Sequence, residues 1–432
     1  MNGAYTGQRS RRVVLVASKT GYQTRAFDEA AQHIGIELVM ATDRCHVLDD
    51  PWGDRALPLQ FENPEAAAGV IAAVQPAPAG IIAVGDRPAS IAALAAQRLG
   101  IPFSAPGAVA ICRNKNEARR RFEAAGLPVP TYFTVPADMD PCAALERAPW
   151  PCVLKPLGLS ASRGVIRADS PAEFVAAFRR IVSLLCSPDI ARLGEHQDRF
   201  IQIESFIPGR EFAVEAMLTK GRLQVHAIFD KPDDLSGPFF EETIYVTPSR
   251  EPEQIQRAII DATRKAVTAL GLTHGPIHAE MRVNERGVWM LEVAARPIGG
   301  LCAQALRFTG GVTLEELILF HALGEDVSQL RLQPGATGVM MIPVPRNGIY
   351  VGATGIDTAL SVPSVTGIVV TAKEGQPLMK LPEGASYTGF IFARADTPQA
   401  VEAALLRAHA QLQFDIRTEL PVLRTALSVE FS

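Results

Sequence analysis

The chain has 432 residues, which at roughly 150 residues per domain predicts about three folding units. Hydrophobic residues make up 47% and charged residues 20%, a balance that excludes disorder of the whole chain. The 42 basic and 46 acidic residues leave a formal net charge of −4. Bulk charge therefore does not favour binding to nucleic acid or to an anionic membrane.

The sequence carries no sign of a membrane span or of a secreted protein. No apolar run approaches the ~18 residues needed to cross a bilayer, and the polar residues 1–10 lack the hydrophobic core of a secretion signal. The six cysteines form no CxxC pair, which argues against a disulfide framework and against a zinc site. The sequence therefore predicts a soluble, cytoplasmic protein that is large enough for deep clefts between domains.

The first part of the chain, residues 1–112, has the pattern of an open α/β domain. Residues 12–17 form an apolar strand, a helical spacing covers 27–34, and 36–40 reads as a second strand. Residues 80–84 add a further strand, and an alanine-rich helix follows it. This order is the opening of a parallel, Rossmann-like sheet, although both the GxGxxG fingerprint and the GxxxxGK[ST] phosphate loop are missing.

The remaining chain predicts two further units. Asn114 can cap a helix, after which a proline-rich stretch leads into a small α/β unit, a lid that spans about 128–205 and moves separately. Residues 210–300 alternate strongly and predict a mostly antiparallel sheet interrupted by one helix. The last part, residues 326–432, is rich in glycine and proline and has short strands before a helix at about 397–413.

A lysine at a strand end opens the first segment that can carry chemistry. After Lys155 the chain runs through small, hydroxyl-bearing and glycine residues, including Ser162 and Gly164, before a strand resumes. Such a loop brings backbone N–H groups close to an anion, while the lysine supplies a point charge. Taken alone, a plain surface loop is the alternative interpretation.

Two glutamates flank a turn in the second segment. Glu204 lies at a strand end, Pro208-Gly209 turns the chain, and Glu211 begins the next strand. Two carboxylates beside a hinge can accept hydrogen bonds from an adenine amine or ribose hydroxyls, while the backbone reads the base. Two solvated glutamates on a turn are the alternative.

The third segment, residues 280–296, reads as a β-hairpin with a glycine at its loop. Pairing Asn284 with Val288 places Glu280 opposite Glu292, so the two carboxylates repel unless a cation lies between them. Mg²⁺ with phosphate co-ligands resolves that conflict, and chance facing glutamates are the alternative. The opposite face of the hairpin is predicted to carry Met281, Val283, Trp289 and Leu291.

The fourth segment is a helix start at Asn114-Lys115. A lysine there can reach an anion near the helix N-terminus, which itself attracts negative charge. By itself Lys115 reads equally as a solvated lysine.

Read in their order along the chain, the four segments resemble the ATP-grasp superfamily, in particular carboxylate–amine ligases of the dipeptide-forming L-amino acid ligase type. The resemblance covers nearly the whole chain. It implies an α/β protein, α+β in its catalytic part, with an N-terminal pre-ATP-grasp domain (1–112), an ATP-grasp domain (113–325) that includes the lid, and a C-terminal subdomain (326–432).

The resemblance also implies the roles of individual residues. Glu280 and Glu292 correspond to the magnesium carboxylates, and Arg296 to the arginine that steadies the transferring phosphoryl group. Lys155 is the second implied catalytic residue. The residues implied to bind ATP are Lys115, Lys155, Ser162, Gly164, Glu204, Phe206, Ile207 and Glu211.

Some positions depart from the family pattern. Ala294 stands where many members have an asparagine that completes the metal site. The Glu-x-x-His element that shapes the substrate site is here Glu242 followed by Tyr245, so its histidine is lost. Asp86 sits where such ligases often place a glutamate near the substrate amine. His278 points to the same side as Glu280 and is predicted to line the site as a polar residue.

The implied reaction has two steps and uses ATP and Mg²⁺, with Mn²⁺ able to substitute. A carboxylate attacks the γ-phosphate to give an acyl phosphate and ADP, and an amine then displaces phosphate. Small-molecule acid and amine are the expected partners, without nucleic acid or membrane, and a homodimer suits the architecture. An ATP-grasp carboxylase or purine-pathway ligase, and a nucleotide-binding regulator without turnover, are the alternatives. The sequence names neither the acid nor the amine.

Overall fold

A computed structural model describes residues 11–18, 21–43 and 55–418, so the polar residues 1–10 and Cys45 lie outside the described residues. None of the helices in these ranges has the length and apolar character of a membrane span. The helices are α1 (Tyr22–His33), α2 (Pro64–Ala72), α3 (Asp86–Leu99), α4 (Pro106–Cys112), α5 (Lys115–Ala124), α6 (Pro171–Leu185), α7 (Pro188–Ala191), α8 (Glu253–Leu270), α9 (Leu314–Ala322), α10 (Ile356–Leu360) and α11 (Pro398–His409).

The described strands begin close to the predicted N-terminal strand and end near the C-terminus. They are β1 (Arg12–Ala17), β2 (Glu37–Thr42), β3 (Ala56–Pro58), β4 (Gly80–Val84), β5 (Tyr132–Pro136), β6 (Cys152–Pro156), β7 (Ile166–Ala168), β8 (Phe200–Ser205), β9 (Arg210–Thr219), β10 (Arg222–Lys231), β11 (Ile244–Thr247), β12 (Gly275–Asn284), β13 (Gly287–Ala294), β14 (Ala336–Ile342), β15 (Gly348–Thr354), β16 (Val365–Val370), β17 (Pro377–Leu378), β18 (Gly389–Ala395) and β19 (Gln413–Arg417).

The N-terminal part contains a parallel sheet with the strand order β3-β2-β1-β4. Val14 and Val16 pack into one hydrophobic core, while Val13 and Leu15 pack into another on the opposite face. Burial on both faces explains why β1 is a continuous apolar run without alternation. Helix α3 begins with Asp86 directly after β4, so this carboxylate lies at the carboxyl edge of the sheet, where α/β proteins bind ligands.

The lid is a four-stranded antiparallel sheet with the order β5-β8-β6-β7. Ser170 caps α6 through its side chain, and the apolar face of this helix, including Phe174 and Phe178, covers the sheet. These side chains form a core with Leu154 and Ile203 that is separate from the cores of the rest of the molecule. A core of its own allows such a unit to move as one body.

The central sheet has eight antiparallel strands in the order β13-β12-β9-β10-β11-β14-β18-β16. Strands β9 to β13 belong to the span predicted as ATP-grasp domain, whereas β14, β16 and β18 follow residue 326. One sheet therefore crosses the predicted boundary at 325/326, and the domain limits stay predictions. A three-stranded sheet, β17-β15-β19, completes the C-terminal part.

The β12–β13 hairpin reaches the predicted pairing by a different route. Asn284 pairs with Gly287 and not with Val288, so the predicted turn was wrong by one residue. A bulge beyond Met281 then shifts the register by one and brings Glu280 opposite Glu292, as predicted.

The bulge also changes which side chains share a face. Met281 and Val283 lie in the core as predicted, but Met290 joins them there, while Leu291 lines the cleft described below. Trp289 instead donates its indole N–H to the side chain of Asn284 at 3.0 Å. The prediction that all four residues share the core face was therefore wrong for two of them, since an inserted residue inverts the alternation of a strand.

Candidate nucleotide site and catalytic centre

A cleft of ≈ 1440 Å³, a volume that includes the solvent at its open mouth, lies between the lid, the central sheet and the C-terminal part. Most of the site residues predicted from the sequence line it, although Gly164 and Asp86 do not. Those that do are Lys115, Lys155, Ser162, Glu204, Phe206, Ile207, Glu211, Glu242, Tyr245, His278, Glu280, Glu292 and Arg296.

The loop after Lys155 has an unusual backbone. Ala161 and Ser162 are both in the left-handed region, with φ of 58° and 53°, although neither is glycine. The loop forms a tight turn at these residues, in which the N–H of Arg163 donates to the carbonyl of Ser160 at 3.3 Å. Gly164 anchors this loop rather than lining the cleft, because its N–H donates to the carbonyl of Pro382 at 2.8 Å.

Lys115 reaches this loop from the body of the protein. Asn114 caps α5 by accepting a hydrogen bond from the N–H of Glu117 at 3.1 Å, so Lys115 is the first residue of the helix. Its Nζ donates to the carbonyl of Leu159 at 2.5 Å. The lysine thus bridges the N-terminus of a helix and the lid loop, where phosphate groups are favoured.

Glu204 forms a buried ion triad with Arg119 and Lys155, which we call the lid triad. Arg119 donates to both carboxylate oxygens, at 2.7 and 3.2 Å, and Lys155 Nζ donates at 2.6 Å. Glu204 and Arg119 are each 1% exposed. Although burial opposes ionisation, the two cations hold the pKa of Glu204 well below its usual value. The carboxylate therefore positions Lys155, and the predicted contact of Glu204 with a nucleotide base stays a prediction.

Glu211 forms a second triad with Lys231 and Arg282, which we call the sheet triad. Lys231 Nζ lies 3.0 Å from one carboxylate oxygen, and Arg282 Nε donates to the other at 2.8 Å. Arg282 also donates to the carbonyl of Ile207 at 2.8 Å. The sheet triad therefore fixes the backbone of the hinge between β8 and β9.

Lys231 serves three carboxylates at once. Its Nζ lies 2.9 Å from Glu242 and 3.4 Å from Glu280, in addition to Glu211. These three glutamates place carboxylate oxygens within 4.8 Å of one another, a spacing that could hold a metal ion, but the ammonium lies among them. Burial disfavours the ammonium, yet the three glutamates raise the pKa of Lys231 well above its usual value, so it stays charged.

Glu242 occupies the other side of this cluster. Tyr245 donates its hydroxyl to Glu242 at 2.5 Å. Burial and the neighbouring Glu280 raise the pKa of Glu242 to about 7, against the opposing effect of Lys231. Glu242 and Tyr245, which were predicted to contact the substrate, thus lie beside the carboxylate cluster, and their roles stay predictions.

His278 and Glu280 lie two residues apart on β12, so they share one face of the central sheet, with residues of β9 beside them. His278 pairs with Glu215 across the strands, Glu280 with Ala213, and the small Ala213 side chain leaves space for the Glu280 carboxylate. His278 contacts Glu215 through Nδ1 and Glu280 through Nε2, the latter at 3.0 Å. Despite its burial, these two carboxylates raise the pKa of His278 to about 9, so the ring is an imidazolium.

Glu292 differs from the other acidic residues of the cleft. Among the described residues, no hydrogen-bond donor contacts its carboxylate, and burial, Asp86 and Glu280 raise its pKa against the effect of Lys115. A carboxylate in this condition is neutralised by a proton or by a cation, and it faces Glu280 in register. This pair of oxygen donors fits Mg²⁺, which prefers carboxylates together with phosphate oxygens.

Arg296 lies beside the carboxylate pair and is held from the N-terminal part of the chain. Its Nε donates to Oδ1 of Asp86 at 2.9 Å. Asp86 therefore contacts Arg296 rather than being free for a substrate amine. Its predicted role at the amine stays a prediction, whereas its contact with Arg296 is a feature that the sequence did not reveal.

Four charged residues of the site were not found from the sequence: Arg119, Glu215, Lys231 and Arg282. Strand alternation offered a signal for two of them, because Arg282 follows Glu280 by two residues and Glu215 follows Glu211 by four. Arg119 lies in a run of three arginines that reads as a solvated helix face. Burial of Arg119 and Lys231 depends on contacts between distant segments.

The lid, the central sheet and the lysine- and glutamate-lined cleft between them have the arrangement of the ATP-grasp fold. The ATP-grasp domain family (ATP-grasp_4) matches residues 148–305, and the L-amino acid ligase C-terminal domain 2 matches residues 340–417. The chain therefore carries an ATP-grasp domain followed by an L-amino acid ligase C-terminal domain, which confirms the resemblance and the fold class expected from the sequence.

The relatives of the chain agree with this class. The structure of an L-amino acid ligase from Bacillus licheniformis superimposes with a TM-score of 0.78 at 25% identity, over 95% of this chain and 100% of that one. Alanine–anticapsin ligase from Bacillus subtilis is 28% identical over 52% of this chain and 50% of its own length. The formate-dependent phosphoribosylglycinamide formyltransferase of Methylococcus capsulatus is 28% identical over 93% and 92%.

The match is only partial for several relatives, because the chain spans 50–64% of the length of curated proteins that it matches. The comparisons support the expected enzyme class, an ATP-dependent C–N ligase. The substrates named for these relatives are theirs.

Proposed function

We propose that the protein joins a carboxylate substrate, an amino acid, to an amine through an acyl phosphate, with release of ADP and phosphate. The observation that carries the proposal is the register of β12 and β13, which sets Glu280 opposite Glu292 in the cleft that Lys115 and Lys155 also line. Carboxylates and lysines so arranged suit a nucleoside triphosphate and its cation.

The nucleotide binds with its base at the hinge and its phosphates under the lid loop. The backbone around Phe206 and Ile207 reads the adenine, and Glu211 accepts from the ribose. Lys115 and Lys155 neutralise the phosphates, while the loop with Ser162 covers them. Closure of the lid excludes water, which matters because an acyl phosphate hydrolyses when water reaches it.

Glu280 and Glu292 would hold Mg²⁺, or Mn²⁺ in its place, which neutralises the charge of the phosphates. Arg296 steadies the transferring phosphoryl group, and its orientation is fixed by the hydrogen bond to Asp86. Because Ala294 offers no ligand, we propose that water completes the coordination. The protein contributes mainly position and charge to this reaction.

The part of the cleft around Tyr22 and Tyr387, which we call the substrate end, suits an apolar side chain on the amino acid. Tyr22, Ile298, Met341 and Tyr387 line it, and the rings of Tyr22 and Tyr387 lie 5.6 and 6.4 Å from that of Phe390. An apolar amino acid loses less hydration here than a charged one. We therefore expect leucine- or phenylalanine-like acids to support more turnover than aspartate or lysine.

A phosphate-release screen of amino acid pairs, with mass spectrometry of the product, tests the activity. We predict that Glu292→Ala and Arg296→Ala each lower turnover roughly 10²–10³-fold while the circular dichroism spectrum and melting temperature stay unchanged. Glu285→Ala and Arg286→Ala, at the exposed tip of the same hairpin, are the controls and should retain activity. ADP release at the wild-type rate by either cleft variant would contradict the proposal.

A second candidate function is that of an ATP-grasp carboxylase or purine-pathway ligase. The near full-length match to the formyltransferase favours it. The match of residues 340–417 to the L-amino acid ligase domain favours the amino acid ligase. Turnover with formate, bicarbonate or a ribosylamine, and none with amino acids, would decide for the second candidate. ATP binding without phosphate release from any substrate would decide for a regulator.

We further propose that the enzyme works in the cytoplasm, where ATP is supplied, and that it forms a homodimer. Cell fractionation tests the first statement. Light scattering on the purified full chain tests the second, since a mass near twice 46.4 kDa is expected.

A further inference from the structure

A segment of the C-terminal part contacts the lid loop. Residues 379–388, which we call the strap, connect β17 with β18. The carbonyl of Pro382 accepts the N–H of Gly164 at 2.8 Å, and the carbonyl of Glu383 accepts from Nε of Arg163 at 2.8 Å. The strap therefore holds the end of the loop that covers the phosphates.

The same strap holds the lid helix through a side chain. Arg180 on α6 donates from Nε and Nη2 to the two carboxylate oxygens of Glu383, the second contact at 2.9 Å. The guanidinium also lies 5.0 Å from the ring centre of Phe239. A bidentate pair of this kind fixes orientation as well as distance.

The other end of the strap lines the substrate end of the cleft. Ala385 and Tyr387 are lining residues, and Tyr387 donates its hydroxyl to the backbone carbonyl of Glu242 at 3.0 Å. Thr388 is fully buried, and its N–H donates to Ile342 on β14. The strap thus has one end in the central sheet and its middle on the lid.

The strap keeps its shape by a tight turn. The N–H of Gly384 donates to the carbonyl of Lys380 at 2.8 Å, and a Cβ at Gly384 would lie 1.9 Å from the carbonyl oxygen of Met379. Only glycine fits there. This turn contains Glu383 and fixes the position of its backbone.

We propose that the strap couples occupancy of the substrate end to closure of the phosphate loop, and that Glu383 is the positioning residue of this link. The inference rests on the proposed ligase function. When the acid substrate packs against Tyr387, the strap holds Arg163, Gly164 and Arg180 in the closed arrangement. Without the acid the loop opens more often, so ATP is not spent on water.

The ion pair between Glu383 and Arg180 is weak, but it is strong enough for such a link. Glu383 and Arg180 are partly exposed, so their pairing contributes little to overall stability. A small contribution still shifts an equilibrium between open and closed lids when the two states differ little in free energy. The effect of breaking the pair should therefore be seen in coupling rather than in folding.

The test measures phosphate released per ligated product, with Mg·ATP and the most active pair from the screen. We expect Glu383→Ala and Arg180→Ala to raise this ratio and the KM for the acid roughly threefold to fivefold, with an unchanged melting temperature. Arg179→Ala, the neighbouring exposed arginine on α6, is the matched control and should behave like the wild type. Glu383→Arg combined with Arg180→Glu should restore the ratio. Wild-type ratios in Glu383→Ala and Arg180→Ala would overturn the proposal.

A second measurement does not depend on turnover. Hydrogen exchange of residues 158–166 should slow when a non-hydrolysable Mg·ATP analogue is added to the wild type and slow further when leucine is added with it, and both changes should be smaller in Glu383→Ala. Equal protection in both proteins would overturn the role of Glu383. Absence of any ligated product from the wild type, with protection still dependent on Glu383, would instead refute the proposed function and leave the contact of strap and lid in place.

Discussion

The lid triad and the sheet triad have the same composition but different surroundings. In each, a glutamate predicted to bind the nucleotide holds one arginine and one lysine, and the hinge between β8 and β9 separates the two. Lys155 in the lid triad lines the cleft and has a side chain 12% exposed, whereas Lys231 in the sheet triad is 0% exposed. The comparison shows that tertiary position, and not residue type, decides whether a lysine can serve a ligand or must neutralise its own protein.

The arginines of the two triads differ in what they join. Arg119 connects α5 to Glu204 on a lid strand, and also donates to the carbonyls of Met290 and Leu291 on β13 at 3.1 and 3.0 Å. Arg282 instead joins Glu211 on β9 to the hinge carbonyl of Ile207 and to the carbonyl of Leu235 in the loop after β10. The lid triad therefore joins the lid to the body, while the sheet triad holds the β9 side of the hinge.

Removal of the sheet-triad lysine should have the largest effect. Lys231→Met leaves the buried Glu211 and the partly buried Glu242 and Glu280 without their shared cation and should lower the free energy of unfolding by about 3–5 kcal/mol. Urea denaturation measures this change. Lys265→Met, on the exposed face of α8, is the control and should stay close to the wild type. A Lys231→Met variant with wild-type stability would show that Lys231 is not required for stability and would contradict the contrast drawn with Lys155.

Removal of the lid-triad lysine should affect turnover more than folding. Lys155→Met removes a charge that the phosphates need, so we expect turnover to fall roughly 10²–10³-fold. Phosphate release and calorimetric Mg·ATP binding measure the loss, with urea denaturation as the comparison. Unfolding at a much lower urea concentration, with ATP binding retained, would assign Lys155 to structure instead.

Alkaline pH should also distinguish the two lysines, although its effect should be smaller than that of either substitution. Burial and the nearby Arg119 lower the pKa of Lys155 against the pull of Glu204, so its ammonium loses its proton below the ordinary 10.5. The pKa of Lys231 is raised, so its stabilisation is complete below 10.5 and is lost only as the pH passes its higher folded value. Mg·ATP affinity should therefore fall as the pH approaches 10.5, while the free energy of unfolding changes less.

Lys155→Arg checks this pH effect, because a guanidinium keeps its charge over the whole range. Its Mg·ATP affinity, measured by titration calorimetry, should show a weaker alkaline decrease than that of the wild type. An identical decrease in both proteins would assign the effect to another group.

Much of the site was predictable because strands and loops carry local signals. The positions of Lys155, Glu204 and Glu211 at strand ends, and the hairpin of Glu280 and Glu292, follow from alternation and turn residues. The prediction of the hairpin turn failed by one residue, since a bulge leaves no clear mark in the sequence. The partners of the site residues were harder to predict, because Arg119 and Asp86 lie in segments that are far away in the chain.

The sequence by itself determined the order of elements, the buried parallel strand, the capped helix at Asn114 and the residue types of the nucleotide cleft, because propensity and periodicity act over short distances. Only the tertiary structure decided that Lys231 lies among three carboxylates, that Asp86 holds Arg296, and that Glu383 reaches the lid. Such pairings depend on which distant segments pack together and on how much water they exclude, and charge strength follows that exclusion.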